Sequence, residues 1–171
     1  MLLQILIVAL SAVLLPVSAH FELTYPTVRG FNEDKSGTGP CGGFDTPAAD
    51  RTSVSTRSVA VALKMGHDEQ AVQILLALGD NPGNNFNITL VPTFRQEGLG
   101  EFCLPDVPLP SNLGIIDGMK ASLQVITNGD PKGGLYNVRP MPIHPSISCS
   151  CPFSVCRHHV HHWYDNSTHN V

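Results

Sequence analysis

The chain has 171 residues, a formal net charge of −4 and 42% hydrophobic residues. This length suits a single domain with its own hydrophobic core. The modest negative charge, with no stripe of lysine and arginine, argues against a nucleic-acid-binding protein.

Residues 1–19 predict a secretory signal peptide. Residues 1–17 are almost entirely apolar, and Val17-Ser18-Ala19 is a cleavage sequence of small residues. The apolar stretch is short for a membrane span, and polar sequence follows it closely. Cleavage after Ala19 would make His20 the first residue of a secreted or cell-surface protein. We expect no lipid anchor, because no second apolar stretch occurs near the end of the sequence.

The sequence after His20 predicts an all-β protein. Residues 21–49 are rich in glycine and proline and predict an irregular segment tethered through Cys41. Alternating apolar and polar residues predict strands at 58–65, 71–78, 87–94 and 121–127. Glycine, proline, asparagine and aspartate separate these strands, which favours an antiparallel β-sandwich of the immunoglobulin type.

The C-terminal residues 138–171 have a different composition. They contain several prolines, three of the five cysteines and a cluster of histidines, and we expect them to lie outside the ordered sandwich. Five cysteines in a secreted protein leave at least one without a partner in the same chain. The clustered histidines are a competing metal site or a tail with adventitious affinity: His158, His159, His161 and His162. Sequons at Asn87 and Asn166 predict N-glycosylation.

The predicted new terminus suggests a metal site. An N-terminal histidine can bind one ion through both its α-amine and its ring Nδ1. His67, in the connection between two predicted strands, is the one other histidine before Pro140. Two imidazoles and an amine favour Cu(II) among the divalent ions, and acid should weaken such a site because its nitrogens must be deprotonated. The alternative for His67 is a solvated turn histidine.

Five segments resemble a family of fungal copper acquisition factors of the Bim type, which are related to lytic polysaccharide monooxygenases. The segments are His20–Phe31, Pro40–Phe44, Gly98–Pro105, Gly114–Gly118 and Gly133–Asn137. The resemblance implies a monooxygenase-like sandwich over residues 20–137, with one copper ion per chain in a histidine brace. The brace residues map onto His20 and His67. A carboxylate completes the site in the family, and Asp117 is the candidate here, although a turn residue before a strand is an alternative role for it.

The chain departs from this family after Asn137. The family continues with Cys-Ala-Asp and a closing strand, whereas this chain continues with Val138-Arg139-Pro140. The departure suggests a retained intron or a shifted reading frame. It removes the expected disulfide partner of Cys41 or Cys103, and it leaves open whether the sandwich keeps its last strand and its copper carboxylate.

The function expected from these features is copper acquisition or homeostasis without substrate turnover, with a membrane copper transporter as a candidate partner. A copper-dependent monooxygenase acting on cell-wall polysaccharide is the enzymatic alternative, with Tyr25 and Tyr136 as candidate axial groups. The one tryptophan, Trp163, lies in the atypical tail, so no sugar-stacking face is evident. A metal-free structural module of the cell wall is the third alternative.

Overall fold

The computed structural model describes residues 20–128 and 133–145. The predictions for the signal peptide, for the clustered histidines and for Asn166 lie outside these residues. Eight strands are present in the described ranges: β1 Phe21–Tyr25, β2 Val54–Ser55, β3 Ser58–Met65, β4 Glu69–Leu78, β5 Ile88–Glu97, β6 Gly100–Pro108, β7 Lys120–Asn128 and β8 Gly134–His144. Short 3-10 helices occupy Glu33–Lys35 and Ser111–Leu113. No helix in the described part of the chain is long and apolar enough to cross a membrane.

The strands form two sheets that face each other. One sheet has the order β1-β3-β6, and the other has the order β2-β8-β7-β4-β5. All pairs are antiparallel except β2 with β8. The predicted all-β sandwich is therefore confirmed.

Side chains that alternate along the strands fill the space between the sheets. In β3, Val59, Val61, Leu63 and Met65 point inward, as the sequence predicts, and each is at least 97% buried. They face inward residues of β4 and β7, among which Ile74, Leu76 and Leu123 are fully buried. The period of two along each strand thus produces one continuous core.

Strand β1 corrects the interpretation of residues 21–49 as wholly irregular. Phe21 pairs with Met65 and Leu23 with Leu63, and both β1 residues are at least 99% buried. The strand has only five residues and ends at Tyr25, before Pro26, so its alternation is too short to stand out in the sequence.

Strand β8 continues seven residues past Asn137, so residues 138–144 belong to the five-stranded sheet that we expected them to leave. Pro140 and Pro142 are compatible with this strand because they are two residues apart. Ile143 donates its backbone N–H to Met119 O, at 2.9 Å, so the backbone N–H groups of the odd-numbered residues of β8 point toward β7. The two prolines then direct their missing N–H groups to the other edge, where β2 pairs only with Ile143 and His144.

Cys41 and Cys103 lie on the outer faces of different sheets. Cys41 belongs to the segment that covers the five-stranded sheet, where Gln124 Nε2 donates to the adjacent Pro40 O at 2.6 Å. Cys103 packs with Ala60 and Ala62 on the outer face of the three-stranded sheet. The sandwich separates the two sulfurs, and Cys41 is a free and buried thiol.

Candidate functional site

The pairing of β1 with β3 brings His20 close to His67. Phe21 is paired with Met65, so the next position in this antiparallel register sets His20 opposite Gly66. His67 follows in the turn between β3 and β4, and both histidines are half-buried. The backbone therefore places these two predicted ligands at the same corner of the sandwich.

The turn that carries His67 is held by a hydrogen bond from the turn between β5 and β6. Gly98, between β5 and β6, donates its N–H to Asp68 O at 2.7 Å. Gly98 has a φ of +99°, which glycine adopts without the strain that a side chain would add. The turn between β5 and β6 thus supports the turn of His67 from the side.

The surroundings of the two histidines carry acidic groups. Asp68, Glu69, Glu97 and Glu101 are all exposed at this end of the sandwich. Arg95 neutralises part of this charge by forming ion pairs, with 2.5 Å from Nη2 to Glu69 Oε2 and 3.1 Å from Nε to Glu97 Oε1. On β3, Lys64 pairs in register with Glu22 on one side and Glu101 on the other. The charge that remains favours the approach of a cation.

The donor set of this corner fits a copper ion. Cleavage before His20 would provide one amine and two imidazoles from only two residues, and nitrogen donors of this kind suit Cu(II). Among residues 20–128 and 133–145, no three histidine, cysteine, aspartate or glutamate side chains are grouped closely enough to hold a metal. A site here would therefore depend on the amine as its third nitrogen.

Asp117 lies at the opposite end of the sandwich. It precedes β7, and His144 at the end of β8 contacts it, with 2.8 Å between Nδ1 and Oδ1. The nine residues of β7 separate this pair from the histidine corner by about 25 Å. The structure thus does not bring Asp117 together with His20 and His67.

The interior below the histidine corner contains polar side chains that the sequence analysis did not single out. Gln70, Gln96, Thr127 and Asn137 are 96% to 99% buried, and all come from the five-stranded sheet. Their signal in the sequence is a polar residue at an inward position of an otherwise apolar alternation, as Gln70 is before Val72, Ile74 and Leu76 of β4. Such positions are costly to keep polar, so they merit attention as candidate functional residues.

A pocket lies between residues 29–45 of the N-terminal segment and residues 81–84. It has a volume of about 190 Å³, and its lining includes Arg29, Cys41, Asp45 and Asn84. Burial raises the pKa of the Cys41 thiol, and the Arg29 guanidinium opposes this shift. Burial also lowers the pKa of Arg29. Because Arg29 donates to Phe44 O and Ser122 Oγ, its main role is to join this segment to β7.

A family model described as "Copper acquisition factor BIM1-like" matches residues 18–138. The chain belongs to this family. The match spans most of the chain and includes both His20 and His67, so the resemblance seen in the sequence motifs is confirmed. Family membership links the chain to copper. The match ends at Val138, which is where the motifs also depart from the family pattern.

Curated fungal proteins support the same assignment. An uncharacterized protein of Aspergillus fumigatus is 61% identical over 125 residues, covering 70% of this chain and 51% of that protein. The lytic polysaccharide monooxygenase-like protein X325 of Yarrowia lipolytica is 34% identical, over 78% of this chain and 52% of its own length. Copper acquisition factor BIM1 of Cryptococcus neoformans var. grubii is 32% identical, over 69% and 57%. The chain therefore spans little more than half the length of these relatives.

Proposed function

We propose that this protein binds a single Cu(II) ion in copper acquisition, through the α-amine and ring of His20 and the ring of His67. The observation that carries the proposal is the β1–β3 register, which sets His20 opposite Gly66, the residue that directly precedes His67. Family membership provides the link to copper. The bound ion would be Cu(II), which the protein could capture and later release.

The residues around the site would tune capture and release. Nitrogen ligands must be deprotonated to bind the metal, so acid should release the ion. The exposed acidic side chains would attract Cu²⁺ without displacing the histidines, because a carboxylate is a weaker copper ligand than an imidazole or amine.

We also propose that the protein is secreted after cleavage at Ala19. The leader sequence of residues 1–19 supports this proposal. Cleavage is also what would create the amine that the site requires. Asn87 is exposed just before β5, so its sequon is accessible for glycosylation. An oxidising compartment would also permit a disulfide, for which Cys103 is our candidate because Cys41 is free. Transfer of copper to a membrane transporter stays a prediction.

The experiment that tests the site compares matched histidine variants of the secreted protein. Mass spectrometry first establishes whether the mature chain begins at His20. Cu(II) titration followed by electron paramagnetic resonance then compares the mature protein with His20→Ala, His67→Ala and His144→Ala. We expect the first two variants to lose more than about 100-fold in affinity, because each removes a direct ligand. His144→Ala should leave affinity unchanged, since His144 lies at the other end of the sheet.

Two further variants separate this site from its alternatives. A single glycine added before His20 displaces the amine but keeps both rings, and it should abolish the tight site. Replacing His158, His159, His161 and His162 by alanine should leave that site intact. Equal affinity of the glycine-extended and mature proteins, or loss of affinity only with the tail variant, would refute the proposal. Oxidised oligosaccharides from chitin, cellulose or xylan with reductant would refute binding without turnover.

A further inference from the structure

We propose that Asn137 is a positioning residue that holds the His20 end of β1 against the five-stranded sheet. This inference rests on the proposed function, because the group that Asn137 positions is the copper ligand His20. Asn137 itself would not contact the metal.

Asn137 connects the two sheets next to His20. Its side chain is 96% buried, and its Nδ2 donates to the backbone carbonyl of Phe21 at 3.5 Å. Phe21 directly follows His20, so this contact acts on the Phe21–Glu22 peptide group, the second peptide group after the predicted terminus. A chain terminus is poorly ordered unless it is held in place, and this contact holds it from the facing sheet.

Strand β1 needs such support because it is an edge strand. Among the described strands, only β3 lies next to it in its sheet, and the register of this pair shifts between Leu23 and Tyr25. A short edge strand of this kind frays more easily than a central one. A displacement of the backbone at Phe21 would move both the amine and the ring of His20.

The neighbours of Asn137 hold the rest of the N-terminal segment. Val138 O accepts from Arg29 N at 3.2 Å, and Arg139 Nη1 donates to Val28 O at 3.4 Å. Tyr136 N donates to Ser36 O at 2.8 Å. Consecutive residues of β8 thus hold the chain that follows β1, and Asn137 is the member of this series that acts closest to His20.

The remaining polar atom of Asn137 argues for a specific role. Its Oδ1 is buried and accepts no hydrogen bond from the described residues. A leucine would fill a similar volume without burying that oxygen, so packing alone would favour an apolar residue here. Thr127 on β7 offers a matched comparison, because its hydroxyl is also buried and has no hydrogen-bond partner in the described ranges, Phe21 included.

The test compares Asn137→Leu with Thr127→Val in the mature secreted protein. We expect Asn137→Leu to weaken Cu(II) binding by about 10- to 100-fold, the range typical of residues that orient a ligand. Its paramagnetic resonance spectrum should also change, because His20 would approach the ion differently. Thr127→Val should change neither property. Unaltered affinity and spectrum in Asn137→Leu, or equal changes in both variants, would overturn the proposal.

Two additional measurements keep the inference testable. If Asn137→Leu fails to fold, Asn137→Ala replaces it, because alanine removes the N–H donor without adding bulk to the core. Hydrogen exchange of the copper-free protein reads the position of β1 directly. The amides of residues 21–23 should exchange at least about 10-fold faster in the Asn137 variant than in Thr127→Val. Faster exchange in a protein that binds no copper would support the positioning role and refute the proposed function, whereas equal exchange would refute the positioning role.

Discussion

Replacing Val138 by cysteine should create a disulfide with Cys41. Val138 is 98% buried and is paired in register with Gln124, whose side chain binds Pro40 O next to Cys41. Gly42, on the other side of Cys41, lies so close to Tyr136 O that an added Cβ would clash with that oxygen. Cys41 is thus held above the stretch of β8 that contains Val138.

The expected stabilisation follows from the length of the closed loop. Residues 41 and 138 enclose nearly a hundred residues, and a loop of that size corresponds to about 4.7 kcal/mol of lost chain entropy in the unfolded state. Removing the apolar contacts of Val138 costs about 1 kcal/mol. A net gain of about 4 kcal/mol should raise the melting temperature by roughly 8–16 °C for a domain of this size.

The assay compares melting temperatures of Val138→Cys with and without reductant. Val138→Ser is the matched control, because it makes a similar truncation without a thiol, and it should melt slightly below the parent protein. Intact mass and thiol titration of the unfolded protein report whether Cys41 has been oxidised. If Cys41 stays reduced in Val138→Cys under oxidising conditions, the placement of Cys41 above β8 is wrong.

Three other outcomes are expected. Met141→Pro should destabilise the fold by about 3 kcal/mol in chemical denaturation because it removes an N–H that faces β7, whereas Pro140→Ala should stay within about 1 kcal/mol of the parent. The Cys41 thiol, whose pKa is raised by burial, should react slowly with Ellman's reagent at pH 8 and faster as pH rises. Burial of the neutral Cys41 thiol contributes stability that is fully present below the ordinary pKa of a thiol and is lost as pH rises through the folded-state pKa. Denaturation midpoints measured against pH should therefore fall over that range. Asp117→Asn should leave Cu(II) affinity within about twofold of the parent by calorimetric titration, since Asp117 pairs with His144.

The strands that the sequence predicted are those with long alternation and clear turns. Residues 58–65 match β3, and the predicted strands at 71–78, 87–94 and 121–127 fall within or next to β4, β5 and β7. Strand β6 was not predicted, because Pro105 and neighbouring acidic residues obscure its alternation. Strand β8 was missed for a different reason, since two prolines suggested a break and only the direction of their missing N–H groups shows that they fit.

The site was predictable in part because it depends on local chemistry. The leader sequence points to His20, and His67 is the first histidine after it. The position of Asp117 could not be predicted, because it depends on which strands pair and on which end of the sandwich each turn lies. Asn137 was missed because its role comes from a contact with Phe21 in the facing sheet, more than 100 residues away in sequence.

The alternating prolines of β8 also protect the protein from self-association. Between the residues of β8 that pair with β2 and those that bond to Ser36 and Arg29, this margin of the larger sheet would otherwise present two amide donors to an extended peptide. Pro140 and Pro142 offer none along that margin, so an incoming strand from another molecule would find carbonyl groups without matching donors. The same residues that disguise this strand in the sequence therefore discourage intermolecular β-sheet growth.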